Sequence, residues 1–234
     1  MDLFKYLNDN VYPGRGIIIG KTDEGTAVFA YFIMGRSRNS RNRIFKTEVD
    51  DIKTEAFDES LLTDPSLIIY SPVRVFNNKI IVSNGDQTDT IYEYLKQEKS
   101  FEDALCTRKF EPDSPNFTPR ISGLIDLNDR LSIKLSILKS DDGNDSQVLR
   151  FFYNYDNPKA FDGFFIHTYE GDGDPLISFK GEPKKVDILG NIKEFSDNLW
   201  KSLNEANKIS LAVRYIDIST GKYKQIIKNK LEGM

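Results

Sequence analysis

The run GIIIGKTDEGTAVFAYFIM, residues 16–34, decides the fold class. Residues 16–20 and 27–34 are dense in β-branched and aromatic side chains, and Asp23-Glu24-Gly25-Thr26 between them has the composition of a hairpin turn. An antiparallel hairpin therefore opens the fold. Further along, residues 66–76 and 79–83 predict a second hairpin about Asn77-Asn78. After Asn84-Gly85 the apolar spacing turns helical, with Ile91, Leu95 and Tyr94 on one face, and Phe101, Ala104 and Leu105 predict a second short helix. Alternating segments return at 121–127, 131–138, 148–155 and 163–169. A helix is expected over about 192–207, where Phe195, Leu199, Trp200 and Leu203 form one stripe, and strands at 209–218 and 223–227 close the chain. This order predicts an α+β protein in which two sheets face each other and helices cover them outside, because an amphipathic helix buries its stripe on a sheet. No repeat or linker interrupts the pattern, so one domain over residues 1–234 is expected. The Asp-rich segment 139–146 reads as a surface loop tolerant of insertion.

With 39% hydrophobic and 29% charged residues, the chain can bury a genuine core and is not of the disordered class. A net charge of −4 argues against a nucleic-acid partner, which needs a broad basic face, so any anion site must be local. The single cysteine, Cys106, can form neither an internal disulfide nor a multi-thiolate metal site, and the single histidine, His167, excludes a site of several imidazoles within one chain. No apolar run approaches a membrane span, and Asp2, Lys5 and Asp9 do not fit a signal peptide. A cytoplasmic protein with no membrane partner is expected.

Four polar clusters could carry chemistry. Gly35-Arg36-Ser37-Arg38-Asn39-Ser40-Arg41-Asn42-Arg43 concentrates four arginines in an acidic chain; they either solvate a turn or supply guanidinium forks to a phosphate or carboxamide. Ser83-Asn84-Gly85-Asp86-Gln87-Thr88-Asp89 joins a strand end to a helix start; it is either a plain cap or a set of exposed amides that favours an anion. Residues 110–120, FEPDSPNFTPR, stiffen carboxylates, an amide and an arginine with three prolines, as a surface turn or as a site loop. His167 lies in a strand pattern, where a lone histidine is read first as a hydrogen-bonded core residue. The following Asp172-Gly173-Asp174 lacks the later Glu of a calcium loop, so no metal is expected.

Together these clusters resemble the archaeal-type IMP cyclohydrolase family and its bacterial homologues. The likeness rests on Tyr12-Pro13-Gly14-Arg15-Gly16-Ile17-Ile18-Ile19-Gly20, the loop from Arg36-Ser37 to Asn42-Arg43, Tyr70 with Arg74, Ser83-Asn84-Gly85 with Thr88-Asp89, and Asn116-Phe117-Thr118-Pro119-Arg120-Ile121. It covers the first half of the chain, with His167-Thr168-Tyr169-Glu170 a weaker echo in the second. The resemblance implies a four-layer α-β-β-α sandwich like that of the N-terminal-nucleophile hydrolases. It also implies a purine ribonucleotide substrate, 5-formamidoimidazole-4-carboxamide ribonucleotide, closed to IMP with loss of water and without a metal or organic cofactor. Carried over by motif position, Arg43, Tyr70 and Glu111 become candidates for the catalytic group. Arg15, Arg36, Asn84, Asp89, Asn116 and Arg120 become candidates for substrate contacts.

Two departures from that pattern stand out. Where the archaeal pattern has a histidine after Asn-Gly, this chain reads Asp86-Gln87, and Met1 offers no side-chain nucleophile, which disfavours N-terminal amide hydrolysis. A purine-ribonucleotide-binding protein of the same fold without ring-closing activity is the alternative, and homo-oligomerisation is left open.

Overall fold

The computed structural model describes residues 1–23, 25–62, 65–128 and 130–233. A helix α1 (Leu3–Asp9) precedes the opening hairpin β1 (Arg15–Lys21) and β2 (Thr26–Met34), as the sequence predicts, although Glu24 of its turn lies outside the described residues. The polar loop is a single helical turn, α2 (Arg38–Arg41), capped by the Ser37 side chain. Then follow β3 (Arg43–Glu48), β4 (Asp51–Ala56), β5 (Val73–Phe76), β6 (Lys79–Ser83), α3 (Gln87–Lys96) and α4 (Phe101–Cys106). The second half comprises β7 (Arg120–Asp126), β8 (Ser132–Asp141), β9 (Asn144–Asp156), β10 (Asp162–His167), β11 (Lys184–Asp187), α5 (Ile192–Ser202), β12 (Lys208–Asp217) and β13 (Tyr223–Asn229).

The strands form two antiparallel sheets, ordered β11-β10-β1-β2-β12-β13 and β3-β4-β5-β6-β7-β8-β9, which makes the protein α+β. Alternation along each strand divides the apolar side chains between layers. Ile17 and Ile19 of β1 and Phe29 and Ile33 of β2 meet Phe45, Val82, Ile121 and Leu135 of the second sheet in a core between the sheets. Ile18, Val28 and Phe32, on the other face, meet Leu3 and Leu7 of α1 and Phe195 and Leu199 of α5. On the outer face of the second sheet, Ile81, Leu124 and Leu138 cover Ile91 and Leu95 of α3 and Phe101 and Leu105 of α4. Burial on both faces explains why β1 and β2 read as unbroken apolar runs rather than alternating ones.

Several elements differ from the sequence expectation. Only residues 73–76 of the expected strand 66–76 pair as a strand. Pro72 cannot donate to a ladder, and Tyr70 is held instead by Thr54. Segment 139–146 is not a loose loop: β8 and β9 run through it to a two-residue turn at Asp142-Gly143, both at positive φ. Helix α5 stops at Ser202 rather than near 207. Strands β3, β4 and β11 were not expected, since their exposed faces carry Lys46, Glu48, Glu55 and Lys185.

Candidate functional site

Strand phase brings charge to one end of the layers. Arg15 follows the phase of Ile17 and Ile19, Tyr31 that of Phe29 and Ile33, and Arg43 that of Phe45, so all three point between the sheets. Arg15 starts β1 opposite the end of β2, and Arg43 starts β3 opposite the end of β4. Tyr70 arrives from the segment before β5. Its amide donates to Thr54 Oγ1 at 2.8 Å, its carbonyl accepts the Thr54 amide at 2.9 Å, and its hydroxyl lies 2.7 Å from that of Tyr31.

Arg43 is 0% exposed. Its Nε donates to the Ser40 carbonyl at 2.8 Å, while Nη1 and Nη2 have no hydrogen-bond partner. Arg15 Nε and Arg120 Nε are likewise buried without a partner. Buried donors are normally paired, and each unpaired one costs about 1–3 kcal/mol, so these guanidinium N–H bonds are the feature of the cluster that an oxygen-bearing ligand would satisfy.

Glu111 enters from the proline-stiffened loop, where its amide donates to the Thr118 carbonyl at 2.9 Å and Asp113 accepts the Thr118 amide at 2.7 Å. Its Oε2 lies 3.9 Å from Arg15 Nη2. Burial pushes its carboxyl up to about 7, against the lowering effect of Arg15, Arg120 and Arg43, so it can exchange a proton near neutrality. Burial also works against the charge of Arg15, but Glu111 holds that guanidinium above its ordinary value. Arg43, which lacks such a partner, is lowered by burial and by Arg15. Tyr70 is raised by burial, with Arg43 and Arg15 opposing.

A wall of aromatic rings borders the cluster. The Tyr169 hydroxyl bonds to Thr118 Oγ1, the Tyr169 ring stacks on Tyr12 at 6.0 Å, and the Arg36 guanidinium lies 5.1 Å from the centre of the Tyr12 ring. Gly14 allows this approach. Its φ is +78°, and a Cβ there would fall 2.2 Å from Thr168 Oγ1, which accepts the Arg15 amide.

Of the residues expected from sequence, Arg15, Arg43, Tyr70 and Glu111 converge. Arg120 stands beside them; Asp86 and Gln87 hold its Nη1 at 2.7 and 2.6 Å. Asp86 and Gln87 thus position that arginine. A Cβ on Gly85 would lie 2.6 Å from Arg120 Nη1 and 2.7 Å from Gln87 Oε1, so a larger residue there would push that hydrogen-bonded pair aside. Arg36 sits at the half-open rim, bound to Asp172 and the Gly173 carbonyl, each at 2.8 Å. Asn84 lies beneath the cluster, with its side chain committed to the Pro119 carbonyl, the Ile121 amide and Gln87. Asn116 Oδ1 accepts the Leu176 amide. Asp89 is not brought to the cluster; it faces Arg74 at 2.9 Å on the helical side.

Sequence reasoning missed Tyr31, Tyr12 and Tyr169. Tyr31 is hidden in an apolar run, where only its phase with Phe29 and Ile33 could have betrayed it. His167 points the other way, toward α1: it bonds to the Tyr6 hydroxyl and the Tyr169 carbonyl, and burial depresses it to about 3. It is a core residue, as a lone histidine in a strand is expected to be. Open cavities of about 260 Å³ around Lys139 and Ile177 and about 220 Å³ around Arg214 and Tyr223 lie elsewhere. Neither shows an unpartnered buried donor among the described residues; Arg214, for example, binds Gln225 and the Asp50 carbonyl. Among the described residues no group of His, Cys, Asp or Glu could hold a metal ion, and no helix is long and apolar enough to cross a membrane.

Fold and site together define an α+β protein of two stacked antiparallel sheets that carries a buried, arginine-rich, tyrosine-lined polar centre. The model of the family described as IMP cyclohydrolase-like protein matches residues 12–222, and the chain belongs to that family. A Methanocaldococcus jannaschii protein named IMP cyclohydrolase is 28% identical over 194 residues, covering 79% of this chain and 89% of its own length. Proteins of the same name from Methanococcus aeolicus and Methanopyrus kandleri are 29% and 30% identical over 122 and 120 residues. Each of these two matches covers 50% of this chain, and 60% and 59% of the relative.

Proposed function

We propose that this protein closes 5-formamidoimidazole-4-carboxamide ribonucleotide to IMP with loss of water, the last ring closure of the purine base, in the cytoplasm. The names of its archaeal relatives support this reading. The observation that carries it is the pair of unpartnered Arg43 guanidinium nitrogens, buried beside the Tyr70 hydroxyl and a carboxyl, Glu111, poised near 7. Residues 1–234 are read as one domain, whose stacking of helix, sheet, sheet and helix resembles the N-terminal-nucleophile hydrolase architecture.

The carboxamide nitrogen is a weak nucleophile, and its electrophile, the formyl carbon, is on the same molecule. Orientation therefore supplies much of the rate, since holding two groups in near-attack geometry can be worth about 7–11 kcal/mol at best. When the C–N bond forms, the formyl oxygen gains negative charge. Arg43 and Tyr70 donate to it, and Glu111 takes the proton that the carboxamide nitrogen sheds. Arg15 keeps Glu111 in its ionised range. Arg120 and, at the rim, Arg36 are the groups for the ribose phosphate, while Asn84 and Asn116 fix the loops that carry Arg120 and Glu111.

Incubating the purified protein with the formamido ribonucleotide and following IMP by ultraviolet absorbance tests this directly. Turnover is expected, with large kcat losses in Arg43→Ala and Tyr70→Phe. Binding of IMP without turnover would favour a nucleotide-binding protein of the same fold.

A further inference from the structure

The Tyr31 hydroxyl is fully buried, and Tyr70 Oη, 2.7 Å away, is its one hydrogen-bond partner among the described residues. A buried hydroxyl proton must be donated somewhere. Either hydroxyl can supply the proton of this bond; when an oxygen of the substrate takes the Tyr70 proton, Tyr31 must be the donor and Tyr70 Oη accepts. The Tyr70 proton then points away from Tyr31 to that oxygen, whose charge the Arg43 and Arg15 guanidiniums near Tyr70 also attract. The Tyr31 ring cannot turn aside, since it stacks on Phe45 with centres 5.6 Å apart and is gripped by the core between the sheets.

We infer that Tyr31 is a positioning residue which, by donating to Tyr70 Oη, fixes Tyr70 as the acid that protonates the departing oxygen. The inference rests on the ring-closing reading above. Once the proton held by Glu111 has passed to the oxyanion, giving the carbinolamine hydroxyl and an ionised Glu111, the carbinolamine C–O bond breaks in the second half of that reaction. Tyr70 gives its proton to the leaving hydroxyl, which departs as water. The ring nitrogen gives its proton to Glu111, and its electron pair forms the C=N bond. The Tyr70 phenolate left behind accepts the Tyr31 hydrogen bond and faces Arg43 and Arg15; a proton returned from Glu111 through water restores both groups. The groups that face Tyr70 are therefore Tyr31, Arg43, Arg15 and Glu111. A donor to the charged form of an acid makes that acid stronger, so Tyr31 sharpens Tyr70 as well as aiming it.

The test is Tyr31→Phe, which keeps the ring in the core. Its kcat should fall about 10- to 100-fold with KM within about twofold, as expected when an acid loses alignment rather than substrate binding. The double variant Tyr31→Phe/Tyr70→Phe should be no slower than Tyr70→Phe alone, because Tyr31 acts only through Tyr70. A readout free of turnover is NMR of tyrosine labelled at Cζ, with the Tyr70 signal assigned by its loss in Tyr70→Phe. In Tyr31→Phe that signal should titrate about one unit higher in pH. A wild-type protein without turnover would sink the ring-closing reading alone, and the NMR shift would still test the Tyr31 contact. An unmoved Tyr70 titration, an unchanged kcat, or losses that multiply in the double variant would overturn the inference.

Discussion

Replacing Arg43 by methionine should make the protein more stable and nearly inactive. The guanidinium is 0% exposed, two of its nitrogens have no partner, and Arg15 adds like-charge repulsion. Removing two unpaired buried donors relieves about 1–3 kcal/mol each, and losing the Nε bond to the Ser40 carbonyl costs about 1 kcal/mol. Methionine has comparable length and a flexible apolar chain that can fill the space beside Phe45 and Tyr31. Allowing for imperfect packing, a net gain of about 2 kcal/mol is expected, which for a chain of this size raises Tm by about 4–8 °C. Activity should fall by about 10²–10³, the usual effect of removing one donor to a developing oxyanion. Thermal unfolding by calorimetry and the ultraviolet assay measure both effects on the same preparation. Loss of several degrees in Tm together with wild-type turnover would refute the reasoning, since it would make Arg43 a structural residue.

Three further outcomes follow from the same geometry. If Glu111 is the proton acceptor, kcat should rise with pH through a midpoint near 7, and Glu111→Gln should abolish that limb; Arg15→Gln removes a charge that lowers Glu111, so its midpoint should move above 7. His167→Gln should leave kcat within about threefold, because the ring faces α1. The His167 folded-state value, about 3, lies below the ordinary 6.5, so its contribution to stability is present above 6.5 and lost as pH falls toward 3; Tm profiles should show that loss in the wild type and not in the variant. Gly14→Ala should destabilise by about 2 kcal/mol or more, read from the denaturant midpoint, since it combines a φ of +78° with a collision at Thr168 Oγ1.

The residues announced the fold more clearly than the site. Ile17 to Ile19 and the run ending at Met34 are apolar on both faces because two cores compete for them, and that signal survives without any alignment. Strands β3 and β4 were illegible because Lys46, Thr47 and Glu48 dilute the pattern with solvent-facing residues. The segment about Ile68 and Tyr70 looked like a strand, yet its backbone bonds go to Thr54 and Pro65. The candidate residues came from family likeness, and geometry sorts them: four meet, Asn84 and Asn116 brace loops, and Asp89 sits with Arg74 on another face. Tyr31 was invisible because an aromatic residue in phase with Phe29 and Ile33 reads as core until its hydroxyl is seen against that of Tyr70.

The central claim is that the unpartnered donors of Arg43 and the Tyr70 hydroxyl grip a purine ribonucleotide between the two sheets. A crystal structure of the protein with IMP measures this most directly. The account predicts oxygen atoms of IMP within hydrogen-bond distance of Arg43 Nη1 or Nη2 and of Tyr70 Oη, with Glu111 beside the base. IMP bound on another surface, with both arginine nitrogens still unpartnered, would contradict it.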